Sequence, residues 1–278
     1  MCQKNKFKIA LCQTLVEDNK ENNIKRVVKL IEEAVDNGAK IISLGEMFNC
    51  PYRNDAFKIY AEEEGKSETL NILSSIAKEK GVYIIGGSVP EKEGEKYYNT
   101  SFVFDKEGKI VGKHRKVHLF DIDIKDRVKM KESDTFSYGK NITVFDTQYC
   151  KVGIAICYDM RFPEIFRIMV QKGVKLIIVP AAFNYVTGPA HWEIIIRGRA
   201  MDNQVYFCAV SPARNENESY LAYGHSIICD PFGKILGELD EKEGILYSEI
   251  DLDYLEKVRS ELPLLKHRRL DLYSVNEK

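Results

Sequence analysis

Apolar residues along this chain fall into two kinds of run that alternate with one another. Runs of the first kind are short, β-branched or aromatic, and bounded by Gly, Pro, Asn or Asp, the pattern of strands. They cover residues 7–12, 40–44, 82–85, 100–104, 142–145, 152–156, 174–179, 205–211, 225–229 and 245–250. Runs of the second kind keep a helical period. In NNIKRVVKLIEEAVDNGAK (22–40), Ile24, Val27, Val28, Ile31 and Val35 share one face, and Gly38 follows the last turn as a stop. Residues 67–80 predict a second helix, closed by Gly81. A third starts at Pro163, which has no N–H to leave unpaired; Glu164 complements the helix dipole and Gly173 ends it. Residues 191–203 and 252–260 predict a fourth and a fifth.

Strands interleaved with helices predict an α/β fold. Ten strands are many for one open sheet, so two packed sheets with helices outside are expected. No Pro/Ser-rich or low-complexity stretch interrupts the pattern, which predicts a single domain over residues 1–278. The tail from about Leu262 (LPLLKHRRLDLY) mixes Leu and Tyr with basic residues, and its apolar groups need cover from the domain or from a second subunit.

Charge removes some partners. The 41 basic and 42 acidic residues leave a net charge of −1, so no global field draws in nucleic acid or an anionic membrane. The Lys-rich piece Lys125–Lys131 (KDRVKMK) reads as a solvated face. Cys2, Cys12, Cys50, Cys150, Cys157, Cys208 and Cys229 are odd in number and form no CxxC pair, which argues against a disulfide framework. No apolar run approaches the roughly 20 residues that span a bilayer, and MCQKNKFKIALCQ lacks a signal-type apolar core. A cytoplasmic location is expected.

The segment KVGIAICYDMRFPE (151–164) carries an apolar strand straight into Cys157, then a polar turn, then a helix start. Such a junction exposes reactive groups at a strand's carboxyl end, beside N–H groups that favour developing negative charge. A nucleophile and a buried structural cysteine both fit this segment. A thiol attacks as thiolate, so it needs a base or a cation nearby. IISLGEMFNCPY (41–52) puts Glu46 just beyond a strand, and KIVGKHRKVHLFD (109–121) puts Lys116 at the end of an extended stretch. His118, two residues on, faces the same side if the chain stays extended. Equally, Glu46 can cap a loop, Lys116 can be a surface lysine and His118 a packed core histidine. Two schemes stay open here: Cys157 with a histidine, or Cys157 with Glu46 and Lys116.

The segments SLGEMFNCPY, HRKVHLFDIDI and GIAICYDMRFPE closely resemble the three signatures of the nitrilase superfamily of carbon–nitrogen hydrolases, in the same order. The likeness continues through PAAFNYVTGPAHWEIIIRGRAMDNQVYFCAVSPAR and AYGHSIICDPFG, and so covers nearly the whole chain. The resemblance implies a four-layer α-β-β-α sandwich and a Glu46–Lys116–Cys157 triad, with Glu132 of MKESDTF as a second active-site glutamate. It also implies a homodimer. HLFDIDI followed by KES, and SPARNENESYLAYGHS, resemble the ω-amidases most, which hydrolyse the side-chain amide of α-ketoglutaramate and α-ketosuccinamate. CYDMRFPE and TGPAHWE are shared with the deaminated-glutathione amidases, the alternative substrate class. A true nitrilase and a non-catalytic binding relative are further alternatives.

The triad implies acyl transfer with no cofactor and no metal. Glu46 takes the thiol proton, Cys157 attacks, and Lys116 with the backbone N–H of Tyr158 holds the oxyanion. A keto acid amide also carries a carboxylate that needs an anchor. Arg161, four residues past the nucleophile, is the first expectation, against a structural ion pair with Asp159 or Glu164. By resemblance to related amide hydrolases, His118 and Asn184 are further anchors. Tyr52, Phe48 and Trp192 either shape the pocket or simply pack.

Overall fold

The structure, a computed structural model, describes residues 5–125 and 128–278. Cys2 and residues 126–127 of the Lys-rich piece lie outside them. The first half of the chain supplies strands β1 (Lys6–Gln13), β2 (Ile41–Leu44), β3 (Glu62–Glu63), β4 (Tyr83–Ile85), β5 (Val89–Glu93), β6 (Lys96–Phe104) and β7 (Ile110–Arg115). A hairpin follows, β8 (Asp121–Ile124) with β9 (Val128–Lys131). The second half supplies β10 (Thr143–Asp146), β11 (Lys151–Ile154), β12 (Leu176–Pro180), β13 (Tyr206–Val210), β14 (Ile227–Cys229), β15 (Ile235–Glu238) and β16 (Gly244–Asp251). The helices are α1 (Lys20–Asp36), α2 (Asn54–Tyr60), α3 (Glu68–Lys80), α4 (Pro163–Gln171), α5 (Gly188–Asn203) and α6 (Leu252–Glu261).

Two mixed sheets result. One has the order β16-β1-β2-β4-β6-β5-β3, with β7 also on β6; the other runs β10-β11-β12-β13-β14-β15. The parallel pairs β1–β2, β2–β4, β11–β12 and β12–β13 need crossovers, and α1, α3, α4 and α5 provide them. The period-2 alternation of side chains decides the layering. Ile9 and Leu11 point between the sheets, where they meet Val152, Ile154, Leu176 and Ile178. Ala10 and Cys12 point outward to α1 and α3, with Val27, Ile31 and Leu73. Ile177 and Val179 point outward to the layer of α4 and α5, with Phe166 and Ile196. Each such fully buried aliphatic contributes about 1.5–3 kcal/mol. The architecture is the α-β-β-α sandwich.

Local signals set the helix ends. The Asn19 side chain accepts the Asn22 N–H at 2.9 Å, and that of Ser67 accepts the Leu70 N–H at 3.0 Å. Gly81 closes α3 in the left-handed region (φ 64°). All ten expected strands and all five expected helices are found, with ends shifted by a few residues; α5 begins at Gly188 rather than His191. Strands β3, β5, β8, β9 and β15 and helix α2 carry no such signal. Pro90 hides β5, because proline argues against a strand interior. Arg53 precedes α2 without a side-chain cap. The Lys-rich surface is solvated as expected, with Lys129 paired to Asp123 and Lys131 to Asp134. Of the tail, Leu265 packs on the α4–α5 layer, while Leu270, Leu272 and Tyr273 stay exposed.

Two close backbone approaches prepare the site. A Cβ at Gly87 (φ 51°) would stand 2.1 Å from the carbonyl oxygen of Gly45, beside Glu46. One at Gly139 would stand 1.9 Å from the carbonyl oxygen of Arg115, and the Gly139 N–H donates to the Lys116 carbonyl at 2.8 Å. Only glycine fits at these positions.

Candidate active site

The four predicted charged and nucleophilic residues come together. Glu46 lies just past the end of β2, Lys116 just past β7, Cys157 just past β11, and Glu132 opens a single 3₁₀ turn after β9. All four are buried. The Lys116 ammonium is 2.8 Å from Glu46 Oε1 and 2.9 Å from Glu132 Oε2. Glu132 is held from every side: its Oε2 accepts the Phe120 N–H at 2.7 Å, and its Oε1 the Tyr52 hydroxyl at 2.8 Å. Glu46 Oε1 also accepts from Asn99 Nδ2 at 2.8 Å, whereas Oε2 is buried with no partner of hydrogen-bond geometry. The Cys157 thiol lies close enough to this carboxylate for each to shift the other's proton affinity.

The electrostatics follow from burial and from one cation between two anions. Burial pushes the Glu46 carboxyl up, Lys116 opposes this, and Glu132 adds to it; the net direction is upward. Burial would lower the Lys116 ammonium, but Glu132 and Glu46 outweigh it and hold the charge in place. Burial and Glu46 together push the Cys157 thiol well up, against Lys116 and a backbone hydrogen bond from Ala182. The resting thiol therefore keeps its proton and faces a carboxylate whose basicity is raised. That is an arrangement for general-base removal of the proton as the sulfur attacks, rather than for a standing thiolate.

Cys157 has φ 47°, the left-handed region that a non-glycine residue adopts at a cost of about 1–3 kcal/mol. It begins a 3₁₀ turn, Cys157–Arg161, that swings the sulfur off the strand line. Met47, next to Glu46, has φ 52°. Nothing in the sequence announces either conformation.

The remaining expectations divide. Tyr158 is the second residue of the nucleophile turn and borders the same cavity as Arg161 and Asn184. Arg161 makes no ion pair with Asp159 or Glu164 among the described residues; its guanidinium lies 4.9 Å from the Phe183 ring and 3.2 Å from His191 Nδ1. The structural alternative for Arg161 is thereby corrected, because Asp159 is already taken by two histidines. Asn184 is buried. Its Oδ1 accepts the Thr187 N–H at 2.8 Å, which fixes the amide orientation and leaves Nδ2 without a partner.

His118 is not beside Lys116 on one face. The strand ends at Arg115 and the chain bends, so His118 Nδ1 meets Asp159 Oδ1 at 2.8 Å and the ring stacks on Phe162 at 3.8 Å. Its backbone N–H and Nδ1 both face Asp159, and His118 borders neither of the two cavities beside the cluster. The pairing of Cys157 with a histidine fails for the same reason, since His114 also turns to Asp159. Tyr52 borders the cavity beside Glu46, but its hydroxyl is spent on Glu132. Phe48 belongs to the core between the first sheet and its helices, and Trp192 lies behind Phe183, ring centroids 5.0 Å apart. Both pack and neither lines the pocket.

Sequence reasoning missed Asn99, which bridges Glu46 and Glu132 from β6. Its signal was an Asn inside an otherwise strand-like run, where Asn is disfavoured. Tyr220 was also missed; its hydroxyl donates to the Ala182 carbonyl and its ring lies 4.5 Å from that of Tyr52. Two small cavities flank the cluster, about 30 Å³ on the Glu46 side and about 10 Å³ on the Cys157 side. Ala182 and Tyr220 border both. Among the described residues, no group of three or more His, Cys, Asp and Glu is arranged to hold a metal ion, and no helix is long and apolar enough to cross a membrane.

Comparison with known proteins gives this geometry a context. The sequence pattern of the carbon–nitrogen hydrolases matches residues 8–260. The chain is 50% identical over 273 residues to Omega-amidase NIT2-A of Xenopus laevis, covering 98% of this chain and 99% of that one. It is 46% identical over 272 residues to Omega-amidase NIT2 of Homo sapiens, covering 98% of each. The crystal structure of Nit3 of Saccharomyces cerevisiae, a member of branch 10 of the nitrilase superfamily, superposes with a TM-score of 0.88 at 43% identity, over 95% of this chain and 97% of that one.

Proposed function

Because this chain belongs to the carbon–nitrogen hydrolase family, we propose that it is an ω-amidase, converting the side-chain amide of α-ketoglutaramate or α-ketosuccinamate to the acid and ammonia. The observation that carries the reading is the buried Lys116 between Glu46 and Glu132, beside the Cys157 thiol, in a chain half identical to proteins named omega-amidases.

Glu46 takes the thiol proton through its unpartnered Oε2 as sulfur attacks the amide carbon. The Lys116 ammonium and the Tyr158 N–H carry the oxyanion. The carbon–nitrogen bond breaks, Glu46 returns the proton to the departing ammonia, and a thioester on Cys157 remains. Water, activated by Glu46, then attacks the thioester; the acid leaves and the thiol is restored. Glu132 holds Lys116 and so fixes where the oxyanion forms. Arg161 and Asn184 Nδ2 bind the substrate's carboxylate end.

Ammonia release from α-ketoglutaramate and from deaminated glutathione tests the substrate. The expected kcat/KM is higher for α-ketoglutaramate by about tenfold or more. Faster hydrolysis of deaminated glutathione overturns the substrate, and release from neither overturns the amidase reading. Arg161→Ala is expected to raise KM for carboxylate-bearing amides about 10- to 100-fold, the worth of a charge-assisted hydrogen bond, and to leave neutral amides nearly unchanged. Equal effects on both would leave Arg161 a structural role only.

We further propose one hydrolase domain that works as a cytoplasmic homodimer. A groove of about 440 Å³ on α5 is bordered by Ile194, Met201 and Phe232, all exposed, and the tail offers Leu270 and Leu272. Such apolar surface is what a second copy would cover. Free thiols at all six described cysteines suit a reducing compartment. Sedimentation at twice the mass of one chain is expected; a monomer at working concentration contradicts it.

A further inference from the structure

A buried carboxylate that the mechanism above does not use sits directly beneath the nucleophile. Asp159 is fully buried, yet it makes no ion pair with any lysine or arginine among the described residues. Its two oxygens instead collect four hydrogen bonds. Oδ2 accepts the Ile156 N–H at 2.9 Å and faces His114 Nε2 at 3.1 Å. Oδ1 accepts the His118 N–H at 2.9 Å and faces His118 Nδ1 at 2.8 Å. The Asp159 N–H closes the turn on the Ile156 carbonyl at 3.0 Å.

The partners are the informative part. Ile156 immediately precedes Cys157, the residue held at φ 47°. His114 and His118 stand two residues before and two residues after Lys116. One carboxylate therefore ties the strained backbone of the nucleophile to both flanks of the segment that carries the oxyanion-binding ammonium. The two segments come from different sheets, β7 from the first and β11 from the second, so nothing in the local chain fixes their separation. The outer edges of the histidines are also held: His114 Nδ1 lies 3.1 Å from Thr143 Oγ1, and the His118 ring is stacked on Phe162.

From this juxtaposition we propose that Asp159, acting through His114 and His118, is the positioning residue that sets the placement of Cys157 relative to Lys116. It touches neither substrate nor reacting atoms. Its role rests on the amidase reading only in so far as Lys116 and Cys157 act together; the clamp itself is a property of the fold. A carboxylate suits the task because all its capacity is for accepting, and all four groups aimed at it are donors. An amide in its place has one accepting oxygen, and its NH₂ group would face donors on the other side.

Asp159→Asn is therefore expected to lower kcat on α-ketoglutaramate about 100-fold while KM stays within about threefold, the signature of a misplaced reacting pair rather than lost binding. His118→Leu, which removes one of the four donors, is expected to cost about tenfold in kcat, and His118→Asn, which keeps a donor near the Nδ1 position, to restore most of it. This rescue does not accompany a merely structural role. The rate at which iodoacetamide alkylates Cys157 gives a readout that needs no substrate, and it is expected to fall in Asp159→Asn. Should Asp159→Asn fail to fold, the His118 pair decides. Unchanged kcat in Asp159→Asn, a rise in KM alone, or equal impairment of His118→Leu and His118→Asn would overturn the proposal. If the unmodified protein releases no ammonia from α-ketoglutaramate, the ω-amidase reading fails separately, and unchanged alkylation in Asp159→Asn then rejects the clamp.

Discussion

Cys157→Ala is expected to fold to the same structure and to lose amide hydrolysis by a factor of about 10⁴ or more, as removal of a nucleophile does. The thiol is buried within the layer that packs α4 and α5 on the second sheet, and the exchange deletes one atom, so its stability cost is small beside its chemical one. Alanine also keeps the same left-handed backbone no worse than cysteine does, which leaves the 3₁₀ turn and the Tyr158 N–H in place. Ammonia release under saturating substrate, with the melting temperature as a control for folding, gives the answer. Turnover at the unmodified rate would remove sulfur from the attacking role.

Lys116→Met should have the largest effect on stability, and the effect should depend on pH. The ammonium lies between two fully buried carboxylates. Removing one partner of such a group leaves uncompensated buried charge, which costs about 3–5 kcal/mol. Burial already raises the Glu46 carboxyl, and Lys116 is the main influence pulling it back down. Without that cation its folded pKa rises further above the unfolded value. A carboxyl shifted in this direction costs nothing below its unfolded pKa, and its penalty grows as pH rises from there to the folded pKa. The stability deficit against the unmodified protein is thus expected to be smaller at pH 5 than at pH 8, read from denaturant midpoints at both. An equal deficit at the two would show that the carboxylates do not feel the loss of the ammonium. Amide hydrolysis should fall about 10²- to 10³-fold, the effect of losing an oxyanion donor.

The elements that carry the site were legible because their ends are marked. Residues 152–156 and 40–44 read as apolar strands that stop at a polar turn, and Pro163 marks the next helix, so Cys157 and Glu46 could be placed just past the carboxyl ends of strands, as they are past Lys151–Ile154 and Ile41–Leu44. The resemblance of three dispersed segments then singled out Glu46, Lys116 and Cys157 from two open schemes. What stayed hidden depends on tertiary contact. Asn99 gains its role only when β6 is brought beside the end of β2, and Asp159 only when β7 of the other sheet delivers His114 and His118. The expectation that His118 shares a face with Lys116 failed on a single local event: the extended chain was assumed to continue past Arg115, and it bends instead. Aromatic residues show the same limit. Phe48 and Tyr52 stand four apart in sequence, but one faces a core and the other faces Glu132.

Acid-quenching the protein during turnover of α-ketoglutaramate and mapping the acyl group by peptide mass is the most direct test. Convergence of Glu46, Lys116 and Cys157 with sulfur as nucleophile predicts the acyl mass on the peptide that holds Cys157, and none when that thiol has been carbamidomethylated. Acyl mass on a different side chain, or full ammonia release from protein carbamidomethylated at Cys157, would contradict it.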